Sequence, residues 1–142
     1  MKAVVLVGGF GTRLRPLTLT SPKQMLPVID RPMLEHVIGR LGGHGVDEVV
    51  LSLGYKEDVF REAYPNNECA GIALAYAVEP EPLDTAGAVR FAADAAGINE
   101  TFIVINGDLF TDLDVPSVWN RHHQSGAEAT IAPTPVPDPS RY

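Results

Sequence analysis

Apolar runs alternate with amphipathic segments along this chain, and the alternation predicts a layered α/β domain. The apolar runs predicted as strands are residues 3–7, 48–53, 72–78 and 101–106. The first of them, Ala3–Val7, is continuously apolar, which is typical of a parallel strand buried on both faces. In the first intervening segment, apolar residues recur at helical spacing, namely Met33, Leu34, Val37, Ile38 and Leu41. Strands that alternate with helices favour a mainly parallel sheet.

Turn and capping residues set the expected helix boundaries. Asp30-Arg31-Pro32 opens the first helix and Gly42-Gly43 ends it. A second, short helix is expected over 56–64. Thr85 is expected to cap a third helix over 86–96, and a fourth begins at Asp114 and runs through Gln124. Gly126 then precedes a fifth strand, predicted over 127–132.

Three loops follow predicted strands directly, and we expect the ligand site there. They come after Val7, Val78 and Asn106. In open α/β sheets, ligands bind at the carboxyl ends of the strands. The first loop, residues 8–29, contains three prolines and is too long to be a simple connection. Ordered loops of about twenty residues are usually functional.

The charge distribution singles out the same loop. The chain carries a formal net charge of −7, yet residues 1–29 contain four basic residues and no acid, namely Lys2, Arg13, Arg15 and Lys23. An acidic protein with a locally basic glycine-rich loop is suited to a polyanion such as a phosphate chain. The sequence shows no basic stripe with interleaved aromatics, so we expect no nucleic acid partner. The single cysteine and the lack of a long apolar run favour a cytoplasmic protein that does not cross a membrane.

The spacing of the glycines excludes the common phosphate-binding loops. The dinucleotide fingerprint needs a third glycine, and the sequence has Leu14 there. The Gly-Lys-Ser/Thr of a Walker loop is absent, and the glycine loop of kinases fails for the same missing glycine.

The remaining pattern is Gly-Gly-x-Gly-Thr-Arg-Leu-x-Pro-Leu-Thr over residues 8–18, with Pro22-Lys23 and Met25-Leu26-Pro27-Val28 after it. It closely resembles the signature of the sugar-1-phosphate nucleotidylyltransferases. The resemblance continues through the loop at Glu79, Asn106-Gly107-Asp108 and the closing Pro-Ser-Arg-Tyr of residues 139–142. It implies a Rossmann-like layered α/β fold with a mainly parallel, mixed sheet. It also implies transfer of a nucleotidyl group from a nucleoside triphosphate to a sugar 1-phosphate, with release of pyrophosphate.

The resemblance also assigns roles to residues. Arg13 and Lys23 are the expected catalytic residues, since a planar guanidinium suits the β and γ oxygens and a compact ammonium suits the α-phosphate. The expected nucleotide-binding residues are Leu6, Gly8, Gly9, Gly11, Thr12, Arg13, Lys23, Glu79 and Thr85. Arg15 lies at a variable position, where a loop salt bridge and a phosphate contact are equally open. The nucleophile is an ionised phosphate oxygen, so no activated Ser, Cys or His is required.

Asp108 is the expected ligand of Mg²⁺, the expected cofactor, because this cation prefers one or two carboxylates together with phosphate oxygens. Asp114 is instead interpreted as a helix cap and Asp112 as a turn residue. In the resembling family, a second metal-binding aspartate and the residues that hold the sugar come from later in the chain. We therefore expect residues 1–142 to be the N-terminal nucleotide-binding part of a truncated domain, inactive by itself. An extended connector of alternate prolines over 133–139 agrees with this expectation.

The loop at Glu79 bears on the choice of base. A carboxylate only accepts hydrogen bonds, which matches the adjacent N1–H and N2–H donors of guanine. The stretch from Glu79 to Gly87 resembles mannose-1-phosphate guanylyltransferases, except that Asp84 replaces a glycine. GTP with mannose 1-phosphate is the preferred reading. A glucose-1-phosphate thymidylyl- or uridylyltransferase and a catalytically silent nucleotide-sugar-binding homologue remain open. A homo-oligomer is compatible with the sequence, which sets neither the sugar nor the oligomeric state.

Overall fold

The structure is a computed structural model that describes residues 1–9, 11–54, 56–138 and 140. It has two compact units, Met1–Thr111 and Asp112–Tyr142. The strands are β1 (Lys2–Leu6), β2 (Pro27–Val28), β3 (Arg31–Pro32), β4 (Glu48–Leu53), β5 (Glu68–Cys69), β6 (Ile72–Val78) and β7 (Ile103–Asn106). The helices are α1 (Met33–Gly43), α2 (Glu57–Ala63), α3 (Asp84–Ala95) and α4 (Val115–Ser125). Among the described residues, none of these helices has the length and apolar character that a membrane span needs.

The first unit is built on a five-stranded sheet with the order β5-β6-β4-β1-β7. Strands β6, β4, β1 and β7 are parallel, and only the short β5 is antiparallel to its neighbour. The predicted mainly parallel, mixed sheet is therefore confirmed. Leu6 is in register with both Ser52 and Asn106, so the carboxyl ends of three strands lie at one edge.

Helices cover both faces of the sheet, as the apolar strands predicted. On one face, α1 contributes Leu34, Val37, Ile38 and Leu41 to a core that includes Val5 and Val49. On the other face, alanines of α3 pack against Val4 and Val50. Small side chains at Ala88, Ala92 and Ala93 are buried there, which lets α3 approach the strands closely. Alternate residues of β1 thus pack into the cores on opposite faces of the sheet, because successive side chains of a strand point to opposite faces.

Several predicted boundaries differ from the structure. Helix α1 begins at Met33, because Arg31-Pro32 pairs with Pro27-Val28 in a small antiparallel hairpin that the sequence did not predict. Strand β7 begins at Ile103 rather than residue 101. The prediction that Thr85 caps α3 is wrong. The helix begins at Asp84, two residues before the predicted start, so Thr85 lies inside its first turn and Leu83 occupies the capping position.

The second unit confirms one predicted element and contradicts another. Asp114 caps α4, its carboxylate accepting a hydrogen bond from the Ser117 backbone N–H at 3.2 Å, and Gly126 ends the helix in a left-handed conformation. The strand predicted over 127–132 is wrong. These residues are exposed and belong to no sheet among the described residues. An alternating apolar pattern makes a strand only where a neighbouring strand accepts its backbone hydrogen bonds.

Candidate functional site

Three loops of the first unit leave the sheet at the same edge. They follow β1, β6 and β7, and parallel pairing brings the ends of β6 and β7 to the same side as the end of β1. The glycine-rich loop after β1 lies beside the loop after β7, because the Gly107 backbone N–H donates to Leu6 O at 2.9 Å. The edge predicted for a ligand site is thus formed.

Backbone conformation in the glycine-rich loop explains two of its glycines. Gly9 and Gly11 have φ values of 103° and 56°, which residues other than glycine rarely adopt. A Cβ on Gly11 would also lie 2.9 Å from Thr18 Cγ2 and 3.5 Å from Lys23 Cβ. Glycine at this position therefore lets the loop fold back onto the segment that carries Lys23. Phe10 lies outside the described residues.

Lys23 and Asp108 form an ion pair across the two loops. Lys23 begins a 3₁₀ turn, Lys23–Met25, and its Nζ donates to Asp108 Oδ2. The two side chains are 26% and 33% exposed, so the pair is partly buried but still accessible to solvent. The structure thus brings together the lysine and the carboxylate to which the sequence assigned different phosphate and metal roles.

Gly107 sets the position of Asp108. A Cβ on this glycine would lie 2.6 Å from Val7 Cγ1 and 3.3 Å from the carbonyl oxygen of Leu6. No side chain fits there without moving the buried Val7 or the backbone of β1. The glycine therefore allows the chain to leave β7 close against β1, which places Asp108 beside the loop that carries Lys23.

Arg13 and Arg15 are exposed at the surface of the glycine-rich loop. Arg13 lies in a 3₁₀ turn, Thr12–Leu14, and neither arginine forms an ion pair with a residue that the structure describes. Lys2, by contrast, pairs with Glu48 at 3.0 Å at the opposite end of the sheet. Of the four basic residues in 1–29, three therefore lie on the loop at the ligand edge, and two of these three are unpaired within the described residues.

The carboxylate of Glu79 is held inside its own loop. Its Oε1 accepts from Ser52 Oγ at 3.2 Å, its Oε2 accepts from the Leu83 backbone N–H at 3.2 Å, and its own N–H donates to Leu53 O at 2.8 Å. Each carboxylate oxygen keeps further acceptor capacity, since the two oxygens together offer about four lone-pair sites. Glu79 is therefore oriented by the protein before any ligand arrives.

Asp84 adopts a left-handed conformation with φ of 57°. This explains why the resembling pattern has glycine at this position, because glycine adopts such φ values without steric cost. Aspartate is among the residues that tolerate the region best. The loop geometry thus survives the replacement. Thr85, an expected nucleotide-binding residue, is exposed in the first turn of α3 beside it.

Three buried polar residues at this edge were missed from the sequence. Thr18, Gln24 and Ser52 are 7%, 1% and 1% exposed. Ser52 holds Glu79, and Thr18 donates to Gly11 O at 2.8 Å. Neither side-chain polar atom of Gln24 has a hydrogen-bond partner among the described residues. Ser52 is a single hydroxyl residue within the apolar run of β4. This pattern predicts that Ser52 is buried, but it does not predict that the hydroxyl bonds to Glu79.

The described residues contain no preformed cluster of metal ligands. No group of three or more His, Cys, Asp or Glu side chains could hold a metal ion among them. Asp108 is partly exposed, and its partner in the structure is already a cation. One carboxylate with water and phosphate oxygens is a donor set that suits Mg²⁺. The residues present therefore fit a metal that arrives with a phosphate ligand. Asp112 and Asp114 belong to the second unit.

Comparison with protein families identifies a family model that matches almost the whole chain. A family model described as "Nucleotidyl transferase" matches residues 2–142. Pro139, Arg141 and Tyr142 of the closing motif fall in this match but outside the described residues.

Curated relatives are similar over the whole chain. A mannose-1-phosphate guanyltransferase of Aspergillus oryzae is 41% identical over 144 aligned residues, which cover 100% of this chain and 40% of the relative. The mannose-1-phosphate guanylyltransferase catalytic subunit beta of Dictyostelium discoideum is also 41% identical, with the same two coverages. The chain therefore spans about 40% of the length of these relatives.

Solved structures share the fold. HddC from Yersinia pseudotuberculosis, complexed with GMP-PN, matches with a TM-score of 0.71 at 31% identity. The match covers 89% of this chain and 54% of the HddC chain. A Bacillus anthracis protein assigned as a glucose-1-phosphate thymidylyltransferase matches with a TM-score of 0.75 at 28% identity, covering 87% and 51%. These matches confirm both the expected fold and the resemblance read from the glycine-rich loop.

Proposed function

This chain belongs to the nucleotidyl transferase family, and from that premise we propose that the protein containing it joins a nucleoside triphosphate to a sugar 1-phosphate. The products are a nucleoside-diphosphate sugar and pyrophosphate. The single observation that carries the proposal is the Lys23–Asp108 pair beside the glycine-rich loop, which puts a cation and an anion at the edge where a phosphate chain would bind. The relatives named above support it.

Lys23 is proposed to bind the α-phosphate, where the sugar phosphate attacks. A phosphate oxygen is a stronger acceptor of charge-assisted hydrogen bonds than water, and the partly exposed ion pair gives it access to the ammonium. As the α-phosphorus passes through its transition state, negative charge spreads over its oxygens. A positioned ammonium stabilises that charge without proton transfer.

Arg13 is proposed to hold the pyrophosphate that leaves. Its guanidinium is exposed on the loop and has no ion pair within the described residues, so binding a phosphate breaks no existing pair. The glycines at positions 8, 9 and 11 allow the backbone to approach the β and γ oxygens closely, and Gly9 and Gly11 have positive φ values, which glycine adopts without steric cost.

Asp108 is proposed to hold Mg²⁺ together with the phosphates. When bound, the cation supplies charge that offsets the developing negative charge on the phosphate oxygens. Asp108 would hold the cation through the carboxylate that pairs with Lys23 in this structure, and the Lys23 ammonium would then be available to the phosphate. The same two residues can thus pair with each other without ligand and with the substrate when it is present.

For the base and the sugar, we propose GTP and mannose 1-phosphate. The preoriented carboxylate of Glu79 can accept both guanine donors on its remaining lone pairs. Relatives that are named mannose-1-phosphate guanyltransferases, and a structural neighbour complexed with GMP-PN, support this choice. The neighbour assigned as a glucose-1-phosphate thymidylyltransferase keeps dTTP with glucose 1-phosphate as the second candidate.

The test is a matrix of nucleoside triphosphates against sugar 1-phosphates, run on the full-length protein with Mg²⁺ and followed by pyrophosphate release. We expect the highest kcat/KM for GTP with mannose 1-phosphate. A maximum for dTTP or UTP with glucose 1-phosphate would replace the substrates but keep the reaction. Nucleotide-sugar binding without pyrophosphate release from any pair would refute the proposed activity in favour of a silent regulatory homologue.

A further inference from the structure

Thr18 reverses the burial pattern of its loop. Leu17 and Leu19 on either side are 62% and 60% exposed, whereas the polar Thr18 is only 7% exposed. Burying a hydroxyl between two exposed leucines is unfavourable unless the hydroxyl makes a specific contact. That contact is a hydrogen bond from Thr18 Oγ1 to the carbonyl oxygen of Gly11, at 2.8 Å.

The bonded carbonyl is at the turn of the glycine-rich loop. Gly11 O also accepts from the Leu14 backbone N–H at 2.9 Å, so two donors hold this oxygen. The peptide group that joins Gly11 to Thr12 is planar and trans, so its C=O and N–H point in opposite directions. Holding the Gly11 carbonyl against Thr18 therefore directs the Thr12 N–H away from Thr18.

Packing reinforces the same orientation. Thr18 Cγ2 lies 2.9 Å from the position that a Cβ on Gly11 would take, and Lys23 Cβ lies 3.5 Å from it. The methyl group of Thr18 thus occupies the space that the glycine leaves, next to the segment that carries Lys23. Both branches of the threonine side chain therefore lie against Gly11.

We propose that Thr18 is a positioning residue that aims the Thr12 N–H at the phosphate chain of the nucleotide. The inference rests on the proposed function, because it assigns Thr18 a part in triphosphate and pyrophosphate binding at that site. Thr18 touches no substrate in this scheme. It fixes the peptide group that carries the Thr12 N–H, so its loss should weaken binding of the phosphate chain and leave binding of the sugar phosphate unaffected.

The experiment compares Thr18→Val, Thr18→Ser and Thr18→Ala in the full-length protein. Valine keeps the shape and removes the hydroxyl, and serine keeps the hydroxyl and removes the methyl. Thr20→Val, at an exposed threonine of the same loop, is the matched control. The measured quantities are KM for the nucleoside triphosphate, the inhibition constant of inorganic pyrophosphate and KM for the sugar 1-phosphate, with thermal unfolding as a check on folding.

For Thr18→Val we expect a rise of about 10- to 100-fold in the nucleotide KM and the pyrophosphate inhibition constant, as for a lost hydrogen bond to a charged group. We expect less than about threefold change in the sugar 1-phosphate KM. Thr18→Ser should stay near wild type and Thr20→Val should equal it. If the valine variant does not fold, the serine and alanine variants, which differ only in the hydroxyl, give the same comparison.

Three results would overturn the inference. Unchanged pyrophosphate inhibition in both the valine and alanine variants would remove the hydroxyl from phosphate binding. A serine variant as impaired as alanine would assign the effect to the methyl group. Equal increases in both substrate KM values would indicate a general structural role. A wild-type protein that releases no pyrophosphate from any substrate pair would instead refute the proposed function itself, and the inference with it.

Discussion

The Lys23–Asp108 ion pair allows a sharp separation of stability from catalysis. With the two side chains 26% and 33% exposed, the pair resembles partly solvated ion pairs. Such pairs contribute about 1 kcal/mol or less. Replacing Lys23 by Met keeps most of the aliphatic side chain, and Asp108 stays accessible to water. We therefore expect the Lys23→Met variant of the full-length protein to lose about 1 kcal/mol in its free energy of unfolding.

The expected loss of activity is much larger. Removing one preorganised donor from a developing oxyanion lowers kcat by about 10²- to 10³-fold, equivalent to roughly 3–4 kcal/mol. Steady-state kinetics with the preferred substrate pair and urea unfolding of the same preparations give the two numbers. In a double-mutant cycle with Asp108→Asn, the stability coupling should stay near 1 kcal/mol, because it reports only the ion pair.

The chain offers a matched control for this experiment. Lys2 pairs with Glu48 at 3.0 Å, and these side chains are 28% and 32% exposed, but the pair lies at the opposite end of the sheet. Lys2→Met should cost a similar free energy of unfolding and leave kcat within about twofold of wild type. If Lys23→Met and Lys2→Met had the same kinetics, Lys23 would have no catalytic role.

Three further predictions address the loops and the core. Glu79→Gln should move the nucleotide preference away from GTP towards UTP or dTTP, because an amide presents a donor where guanine needs an acceptor. The Ser52 hydroxyl can accept as well as donate, so it can still bond to the amide. An unchanged order of kcat/KM among the nucleotides would exclude recognition of the base by this residue. Gly107→Ala should lower the free energy of unfolding by about 1–3 kcal/mol, because its Cβ would lie 2.6 Å from Val7 Cγ1. Gly39 lies inside α1 and a Cβ there would have its nearest neighbour at 3.6 Å, so Gly39→Ala should raise the free energy of unfolding by about 0.5–1 kcal/mol. Equal changes in urea unfolding for the two variants would contradict the packing argument. Burial raises the pKa of the Cys69 thiol to about 11, so alkylation of this thiol at pH 8 should be slow in the native protein and fast in urea. Peptide mass spectrometry measures the labelling. Rapid labelling of the native protein would show that the edge of the sheet at β5 opens readily.

Local patterns in the sequence determined the elements and the edge where the loops meet. The spans of β4 and β6 were predicted to the residue, because each is a short, mainly apolar run bounded by turn residues, which is typical of a strand. The glycine spacing excluded three common phosphate-binding loops, and the type of loop followed from the resemblance of residues 8–28 to a family signature. The same local reasoning failed over 127–132, where strand formation depends on a neighbour that an apolar pattern does not supply.

Which side chains meet was decided by tertiary structure. Lys23 and Asp108 are 85 residues apart in sequence, and they pair because β7 lies beside β1 and Gly107 permits close approach. Ser52 likewise reaches Glu79 only because β4 and β6 are in parallel register. A sequence pattern records how each residue prefers to lie along its own segment. The partners of Lys23 and Glu79 depend on how separate segments pack together, and only the folded chain contains that information.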